Sequence, residues 1–339
     1  MIMIDWISCE LFLLHYPLNS GRIVKLDANG GVEWESPSWT QTEGSYSSKI
    51  SVFSTGEREN DGRVTRLKIS GNPVKFLQGH NVFGINDLSI IMTQFVIKLC
   101  KILDIKLEIN DLALITLGEY NLTRIDINGG YVLDSRRDVL SWIRSAEHKG
   151  KTRSGKSSRK GDTLYFGQHS RRWSLKFYSK GGELDVHKLP DELLKTPLLS
   201  HADNILRAEI VLRGMELKDK NIQRAKNFTP AFVNALFKEY MSKLEMKSQH
   251  KLKDDVLLNM PRFLQSTYLL WLQGHDPKSL MKERTYYDHC SKLRKYDIDI
   301  NLPPNDITKM DNVVPLIRVL EAKPAEIPQW AYDLKLVVC

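Results

Sequence analysis

Alternating apolar and polar side chains run through residues 173–180, and alternation of this kind predicts a half-buried β-strand. On the polar side a tyrosine lies between two lysines, a position from which it would meet a phosphate group and either bind or attack it. The apolar face carries Trp173, Leu175 and Phe177, and the polar face carries Lys176, Tyr178 and Lys180.

Two other segments, 122–128 and 205–213, show the same alternation with charged residues on the polar side. If the three strands share one sheet with these faces aligned, two carboxylates, a phenol and several cations converge. The alternative is that Asp126 and Glu209 only pair with arginines across the sheet. The charged residues concerned are Arg124 and Asp126 in the first segment and Arg207, Glu209 and Arg213 in the second.

Helical spacing of apolar residues appears twice in the first half of the chain, at about 86–103 and 135–148. Asn86 is expected to cap the first of these helices and Gly150 to end the second. Residues 1–75 indicate short strands and turns, and 151–162 indicate a polar loop rich in Ser, Lys and Arg.

Beyond about Leu217 the apolar spacing is predominantly helical, with no internal repeat. We therefore expect a core domain at 1–217 and a mainly helical region at 218–339. The predicted class is α+β, with a central antiparallel β-sheet, helices packed on one face, and a smaller helical C-terminal part.

The 339-residue chain has a net charge of +8, and its basic excess is concentrated in one segment. Residues 136–180 hold 13 Lys and Arg against 3 Asp and Glu, a net of +10, so the remaining residues sum to −2. Aromatic residues interleave with these cations, which favours nucleic-acid binding over a merely solvated loop. The expected DNA-binding residues are Arg124, Arg136, Arg137, Lys151, Arg153, Lys156, Arg159, Lys160, Arg171, Arg172, Lys176 and Arg207.

Other patterns argue against several classes of protein. No run of about 18 apolar residues is present, so we expect no membrane span. The first residues lack the basic region of a signal peptide. The four cysteines are scattered, which argues against a zinc ribbon and fits reduced thiols in the cytosol.

A tyrosine that attacks a phosphodiester must lose its proton, and the charge that develops on the phosphate needs a cation. Carboxylates commonly hold Mg²⁺ or Mn²⁺ for this purpose, so Asp126 and Glu209 are candidate ligands. The lysines beside Tyr178 are expected to favour its phenolate form. Tyr165 is either a second nucleophile or an aromatic residue on a neighbouring strand.

Residues 150–157 match the pattern of a phosphate-binding loop, G-x-x-x-x-G-K-S. That loop functions only between a buried strand and the N-terminus of a helix. Here a polar helix is predicted before the match, and no apolar periodicity follows it. We therefore expect no ATP site and interpret the segment as a contact to the DNA backbone.

His80 lies in a glycine-flanked loop, Gln78-Gly79-His80-Asn81, and on this pattern alone a structural role is favoured over metal binding. No two of the nine histidines form a His-x-His pair. The paired-histidine metal site of many nicking enzymes is therefore not expected.

Five segments, in their order along the chain, resemble the gene II replication initiators of filamentous bacteriophages. The resemblance covers about 70–330 and does not extend to the first 70 residues. The segments are Val74-Lys-Phe-Leu-Gln-Gly-His-Asn-Val-Phe-Gly84, Thr123-Arg-Ile-Asp126, Leu175-Lys-Phe-Tyr-Ser-Lys180, Leu206-Arg-Ala-Glu-Ile210 and Asn312-Val-Val-Pro-Leu-Ile-Arg318.

The resemblance implies a rolling-circle initiator that nicks one strand of the phage origin and stays joined to the 5′ phosphate through a tyrosine. It assigns the nucleophile to Tyr178, metal binding to Asp126 and Glu209, and a place near the phosphate to Lys180. It also makes His80 a candidate metal ligand.

The partners that this family implies are supercoiled origin DNA, the displaced single strand and, indirectly, the host helicase and DNA polymerase. The expected place of action is the host bacterial cytoplasm, without a membrane. The metal is expected to be Mg²⁺ or Mn²⁺, and resealing needs no ATP because the phosphotyrosine bond conserves the energy of the phosphodiester. The alternative is a non-catalytic DNA-binding regulator of replication.

Overall fold

A nine-stranded antiparallel sheet forms the centre of the protein in this computed structural model, which describes residues 1–18, 21–152, 155–246, 252, 254–301 and 324–337. The strands are β1 (Ile2–His15), β2 (Arg22–Leu26), β3 (Val32–Pro37), β4 (Thr40–Glu43), β5 (Lys49–Arg58), β6 (Val64–Gly71), β7 (Asn121–Val132), β8 (Gly150–Thr152), β9 (Gly155–Lys156), β10 (Ser158–Lys160), β11 (Thr163–Phe166), β12 (Trp173–Ser179), β13 (Ile205–Arg213) and β14 (Glu245–Met246).

The large sheet has the order β10-β11-β12-β13-β7-β1-β6-β5-β4, and its neighbouring strands are all antiparallel. Strands β14, β8 and β9 form a small three-stranded sheet, and β2 and β3 form a separate hairpin. The central strand β7 therefore lies between β13 and β1, which are far apart from one another in the sequence.

Helices connect and cover these strands. They are α1 (Pro73–Gln78), α2 (Leu88–Ile102), α3 (Ile109–Thr116), α4 (Arg136–Lys149), α5 (Lys180–Val186), α6 (Asp191–Leu194), α7 (Leu198–Asp203), α8 (Gly214–Asp219), α9 (Pro230–Met241), α10 (Asp254–Asn259), α11 (Arg262–Leu272), α12 (Pro277–Leu280), α13 (Glu283–Leu293) and α14 (Gln329–Asp333). Short 3₁₀ turns lie at Ser45–Ser47, Ala225–Asn227 and Arg294–Tyr296.

The three alternating segments form strands as predicted, within β7, β12 and β13. The predicted N-cap of α2 is wrong by one residue, because the Asp87 side chain, not that of Asn86, accepts a hydrogen bond from the main-chain N–H of Ile90. The N-terminal region differs more, since β1 is a single 14-residue strand beside the sheet centre. The segment 151–162, expected to be a loop, contains most of β8 and all of the short strands β9 and β10.

The main core lies on one face of the sheet, against α1–α4 and α9. Trp142 of α4 packs on Phe177 of β12 with ring centres 5.0 Å apart. Phe237 of α9 approaches Gly129 of β7 so closely that a Cβ atom at this glycine would collide with the ring. Packing of this kind leaves the other face of the central strands available for polar chemistry.

A second apolar cluster covers one end of that polar face. It joins the loop at Val82 and Phe83 with α5–α7 and α14, and Ile205 of β13 belongs to it. Residues 324–337 reach this cluster from the C-terminal side, where the main-chain N–H of Ala325 donates to Gly130 O at 2.8 Å.

Helices α10–α13 build a third apolar cluster of their own. By contrast, α9 buries Val233, Leu236 and Phe237 in the main core. The boundary between 217 and 218 stays a prediction, but by packing the first helix beyond it belongs with the sheet. No helix in the described ranges combines the length and the apolar character that crossing a membrane requires.

Candidate active site

The polar faces of β12, β13 and β7 align, as the alternating pattern predicted. Lys176 pairs with Glu209 across β12 and β13, and Asp126 pairs with Val211 across β7 and β13. Side chains at these positions lie on one face because paired residues in an antiparallel sheet project to the same side. Lys176, Glu209 and Asp126 line a cleft of about 920 Å³ together with Tyr178.

Tyr178 lies at the floor of the cleft with 6% of its surface exposed. Its hydroxyl donates to Glu209 Oε2 at 3.3 Å, and Lys176 Nζ lies 4.7 Å from the centre of its ring. Burial raises the pKa of the Tyr178 phenol well above its ordinary value, and the carboxylates of Glu209 and Glu183 raise it further. The expectation that the neighbouring lysines favour the phenolate is therefore wrong for this conformation.

Asp126 is almost completely buried and accepts two hydrogen bonds from Arg124, from Nε at 2.8 Å and from Nη2 at 2.5 Å. Burial nevertheless raises the pKa of the Asp126 carboxyl to about 7, with Arg124 opposing the change and Glu209 and Asp5 adding to it. Glu209 forms an ion pair with Lys176, with Nζ and Oε2 2.8 Å apart. Both carboxylates therefore have protein cations beside them and still face the cleft.

Lys180 does not lie on the strand face where the alternation placed it. The strand ends at Ser179, whose hydroxyl caps α5 by accepting a hydrogen bond from the N–H of Gly182 at 3.1 Å. Lys180 is the first residue of that helix and is fully buried. Its Nζ donates to Asn81 Oδ1 at 2.7 Å and pairs with Glu183, and burial lowers its pKa.

Two consecutive residues of β1, Asp5 and Trp6, also line the cleft, and neither has a local signal in the sequence. A bulge places Asp5 between the pairs Ile4–Ile127 and Trp6–Asp126, so both side chains are aimed into the site. Asp5 Oδ1 accepts hydrogen bonds from Asn72 at 2.5 Å and Asn81 at 2.9 Å. Their positions depend on the pairing of β1 with a strand more than 100 residues away.

His80 is buried beside the cleft but does not line it. Its Nε2 lies 2.9 Å from Leu336 O, and its Nδ1 accepts from the N–H of Val82 at 3.3 Å. Burial lowers the pKa of the imidazole to about 4, so the ring is neutral with both nitrogens engaged. This placement favours a structural role for His80 and separates it from the two carboxylates.

The basic residues predicted to bind DNA differ in their exposure and in their ion pairs. Arg159, Lys160, Arg171 and Arg172 are exposed, and Lys160 lines the cleft. Several cations form ion pairs: Arg136 with Asp185 and Asp203, Arg137 with Glu283, Arg159 with Glu147, and Arg172 with Asp219. Arg153 and the Asn312–Arg318 motif lie outside the described residues, and the side chains of Lys151 and Lys156 are not described.

The prediction that Arg207 contacts DNA is wrong, because this side chain is fully buried. Its Nη2 donates to the carbonyl oxygens of Asn81 at 3.3 Å and Val82 at 2.9 Å. The guanidinium therefore fixes the loop that supplies Asn81 to the cleft wall. The sequence does not distinguish a polar side chain that stays exposed from one that a distant loop covers, and the loop covers Arg207 only in the folded protein.

We expect Arg207→Ala to lower the free energy of unfolding by about 2–4 kcal/mol, because it leaves a cavity and two unpaired carbonyl groups. Urea unfolding measures this change. Arg171→Ala is the control, since that arginine is exposed and should change stability little. If Arg207→Ala were as stable as the wild type and bound DNA more weakly, Arg207 would be a DNA contact after all.

Similarity to known proteins extends over nearly the whole chain. Two family models of the phage replication-associated protein match it, the N-terminal model at residues 3–231 and the C-terminal model at residues 252–337. The replication-associated protein of Enterobacteria phage I2-2 is 41% identical over 335 residues, covering 98% of this chain and 96% of that protein. A rolling circle replication initiator protein from Geobacillus stearothermophilus aligns in structure with a TM-score of 0.32 and 13% identity, covering 75% of this chain and 89% of that one.

Proposed function

This chain belongs to the family of phage replication-associated proteins, and from that premise we propose that it initiates phage rolling-circle replication by nicking the origin through Tyr178. The observation that carries the proposal is the Tyr178 hydroxyl, held 3.3 Å from Glu209 in a cleft that also contains Asp126. A candidate nucleophile, a candidate proton acceptor and two carboxylates that could hold a cation thus line one cleft.

In the proposed reaction the Tyr178 oxygen attacks the phosphorus of the scissile phosphodiester. The bond from phosphorus to the 3′ oxygen breaks, and the 3′ oxygen takes a proton from solvent water and leaves as a hydroxyl. The phenol proton passes to Glu209, which accepts the hydrogen bond of the hydroxyl in the free protein. The 5′ phosphate stays on the tyrosine, and attack by a 3′ hydroxyl reverses the step and reseals the strand without ATP.

We propose that Asp126 and Glu209 hold a Mg²⁺ or Mn²⁺ ion. When bound, the ion would neutralise charge that develops on the phosphate oxygens. Asp126 fits this role because its pKa of about 7 indicates that Arg124 alone does not compensate the cost of burying its charge. Asn128, opposite Glu209, is fully buried and its amide has no hydrogen-bond partner in the described part of the chain, so a further oxygen donor is available there.

Two carboxylates are enough protein ligands for a magnesium ion. No group of three His, Cys, Asp or Glu side chains in the described ranges is arranged to hold a metal. Magnesium is commonly bound by one or two carboxylates together with water and substrate phosphates, so a pair of carboxylates suffices. His80 is left out of the proposed site because both of its ring nitrogens are engaged elsewhere.

The partner that this activity requires is phage origin DNA, first as supercoiled duplex and later as the displaced strand. The 3′ hydroxyl would prime the host DNA polymerase after a helicase opens the duplex, which places the reaction in the host cytoplasm. Lys160, an exposed cation on β10 that lines the cleft, supports a contact with the DNA backbone. Its neighbour Arg159 lies on the other face of the strand and forms an ion pair with Glu147.

We expect Lys160→Gln to bind origin DNA more weakly and with a flatter dependence on salt. The slope of log K against log[salt] should fall by about 0.9 for each duplex phosphate contact that is lost. Fluorescence anisotropy over a range of NaCl concentrations measures it. The control is Arg58→Gln, an exposed cation on β5. An unaltered slope would place Lys160 away from the DNA.

The activity itself is tested on supercoiled plasmid that carries the cognate phage origin. In Mg²⁺ or Mn²⁺ the protein should convert this plasmid to a nicked circle with protein attached at the 5′ end of the nick. A plasmid without the origin is the control. Tight origin binding without a nick in either metal would contradict the proposal and favour a non-catalytic regulator.

A further inference from the structure

Two aromatic side chains stand on opposite sides of the cleft, and neither has a role in the reaction described above. Tyr165 on β11 pairs with Lys176, and Trp6 on β1 pairs with Asp126. Both are half-buried and line the cleft. Each therefore presents part of its ring on the face of the sheet that carries Tyr178.

The strand order fixes the spacing of these rings. From β11 the sheet runs through β12, β13 and β7 to β1, which is four steps between neighbouring strands. At about 4.8 Å per step the two aromatic positions are roughly 19 Å apart. Tyr178 lies one strand from Tyr165 and three strands from Trp6, so in the order of the strands the nucleophile is between the two rings.

Trp6 is held as part of a stack. The guanidinium carbon of Arg124 lies 5.2 Å from the centre of the indole ring, and both hydrogen bonds from Arg124 to Asp126 fix the guanidinium plane. The indole N–H of Trp6 donates to Ser8 Oγ at 3.4 Å. A ring oriented in advance beside a cation loses little freedom when a nucleobase stacks on it.

The same cleft also supplies charge for a phosphate backbone. Lys160, Lys176 and Arg124 line it; Lys176 and Arg124 are paired with carboxylates of the same cleft, and Lys160 is exposed. Aromatic faces combined with nearby cations are the features by which proteins bind single-stranded nucleic acid, whose bases are free to leave the stack. In a duplex each base face is already covered by its neighbours, so duplex DNA would not use both rings.

We propose that the cleft binds a single-stranded segment of DNA that crosses the sheet from β11 to β1, with one base stacked on Tyr165 and another on the Trp6–Arg124 pair. The scissile phosphate lies between these bases at Tyr178, and this placement rests on the proposed function. The stacking itself does not rest on it, because it follows from the rings, the cations and the strand order.

The test is binding of a fluorescently labelled single-stranded oligonucleotide that spans the nick site, measured by anisotropy with the full chain in EDTA so that no cleavage occurs. Trp6→Ala and Tyr165→Ala should each weaken binding about 5- to 150-fold. Trp6→Phe and Tyr165→Phe should bind nearly as well as the wild type because the ring remains. Trp34→Ala, an exposed tryptophan on β3, is the matched control and should bind normally.

Substitutions in the DNA keep the test valid even if an alanine variant folds poorly. Replacing single bases by abasic sites in turn should reveal two positions at which the wild type loses affinity. At one of these positions the abasic site should also weaken binding by Trp6→Phe, which keeps an aromatic ring. It should not weaken binding by Trp6→Leu, which has none. Wild-type binding by Trp6→Ala, or uniform effects at every abasic position, would overturn the inference.

This experiment separates the inference from the proposed function because it does not depend on cleavage. If the stacking positions are found but Tyr178 forms no adduct, the function is wrong and the strand-binding cleft stands. If Tyr178 forms the adduct and no stacking position is found, the inference is wrong and the function stands. Loss of binding in Tyr165→Phe equal to that in Tyr165→Ala would indicate a hydroxyl contact and contradict stacking.

Discussion

Replacing Tyr178 by phenylalanine should abolish nicking and covalent attachment while the affinity for origin DNA stays nearly unchanged. The substitution keeps the ring that lies under Lys176 Nζ at 4.7 Å and removes only the hydroxyl that donates to Glu209 at 3.3 Å. The residue is buried in the cleft floor, so a phenyl ring of the same size preserves the packing. Without the phenol oxygen no phosphotyrosine can form.

The measurement pairs a nicking assay on supercoiled origin plasmid with a gel that detects protein bound covalently to DNA. Tyr165→Phe is the matched control because Tyr165 lines the same cleft on the neighbouring strand. That variant should still make the first nick, and failure only in resealing would identify Tyr165 as a second nucleophile. A nick made by Tyr178→Phe at the wild-type rate would end the assignment of Tyr178.

Neutral substitutions at the two carboxylates should have the second-largest effect. We expect Asp126→Asn and Glu209→Gln each to slow cleavage on the order of 10²-fold or more, because each removes a proposed metal ligand and the second also removes the proposed proton acceptor. Both replacements keep the size of the side chain. Asp126→Asn also releases the charge of Arg124, which held the carboxylate through two hydrogen bonds.

Metal binding can be followed apart from activity, by the rise in melting temperature that Mn²⁺ causes in the free protein. The wild type should be stabilised by Mn²⁺, and both variants should be stabilised less. Asp162→Asn is the control, since Asp162 lines the same cleft and is exposed. If EDTA leaves wild-type cleavage unaffected, or if the variants respond to Mn²⁺ like the wild type, the metal assignment is wrong.

Local alternation was sufficient to predict the strands that form the centre of the site. The segments that became β7, β12 and β13 each have one apolar and one polar face, and a sheet with one packed face requires this pattern. Asp126, Tyr178 and Glu209 converge if these strands are neighbours. The observed register confirms that they are.

The errors arose where a tertiary contact or the end of a strand decided the outcome. Lys180 continues the alternation in sequence, yet the cap at Ser179 starts a helix and turns the lysine into the interior. Arg207 shares the polar face of Glu209, but the loop at Asn81 and Val82 covers it. Neither burial is visible in a period-two pattern.

The residues that were missed belong to β1 and its contacts. Asp5 and Trp6 enter the cleft through a bulge, which depends on pairing between β1 and β7 and has no signature in the 14-residue strand itself. Asn81 lies in the segment Val74–Gly84 that resembles the phage initiators, but its hydrogen bonds to Asp5 and Lys180 join it to two segments distant in sequence. The sequence therefore predicted only the central strands of the site. The remaining residues reach the site through pairing between segments that are distant in sequence.

The most direct test of the account is to identify the residue that becomes attached to DNA. The protein is incubated with origin DNA and Mg²⁺, the complex is digested with protease and nuclease, and the peptide that carries a 5′-phosphonucleotide is sequenced by mass spectrometry. The account predicts a single modified peptide with the nucleotide on Tyr178. A nucleotide on another residue, or a nick that leaves no protein on the 5′ end, would contradict it.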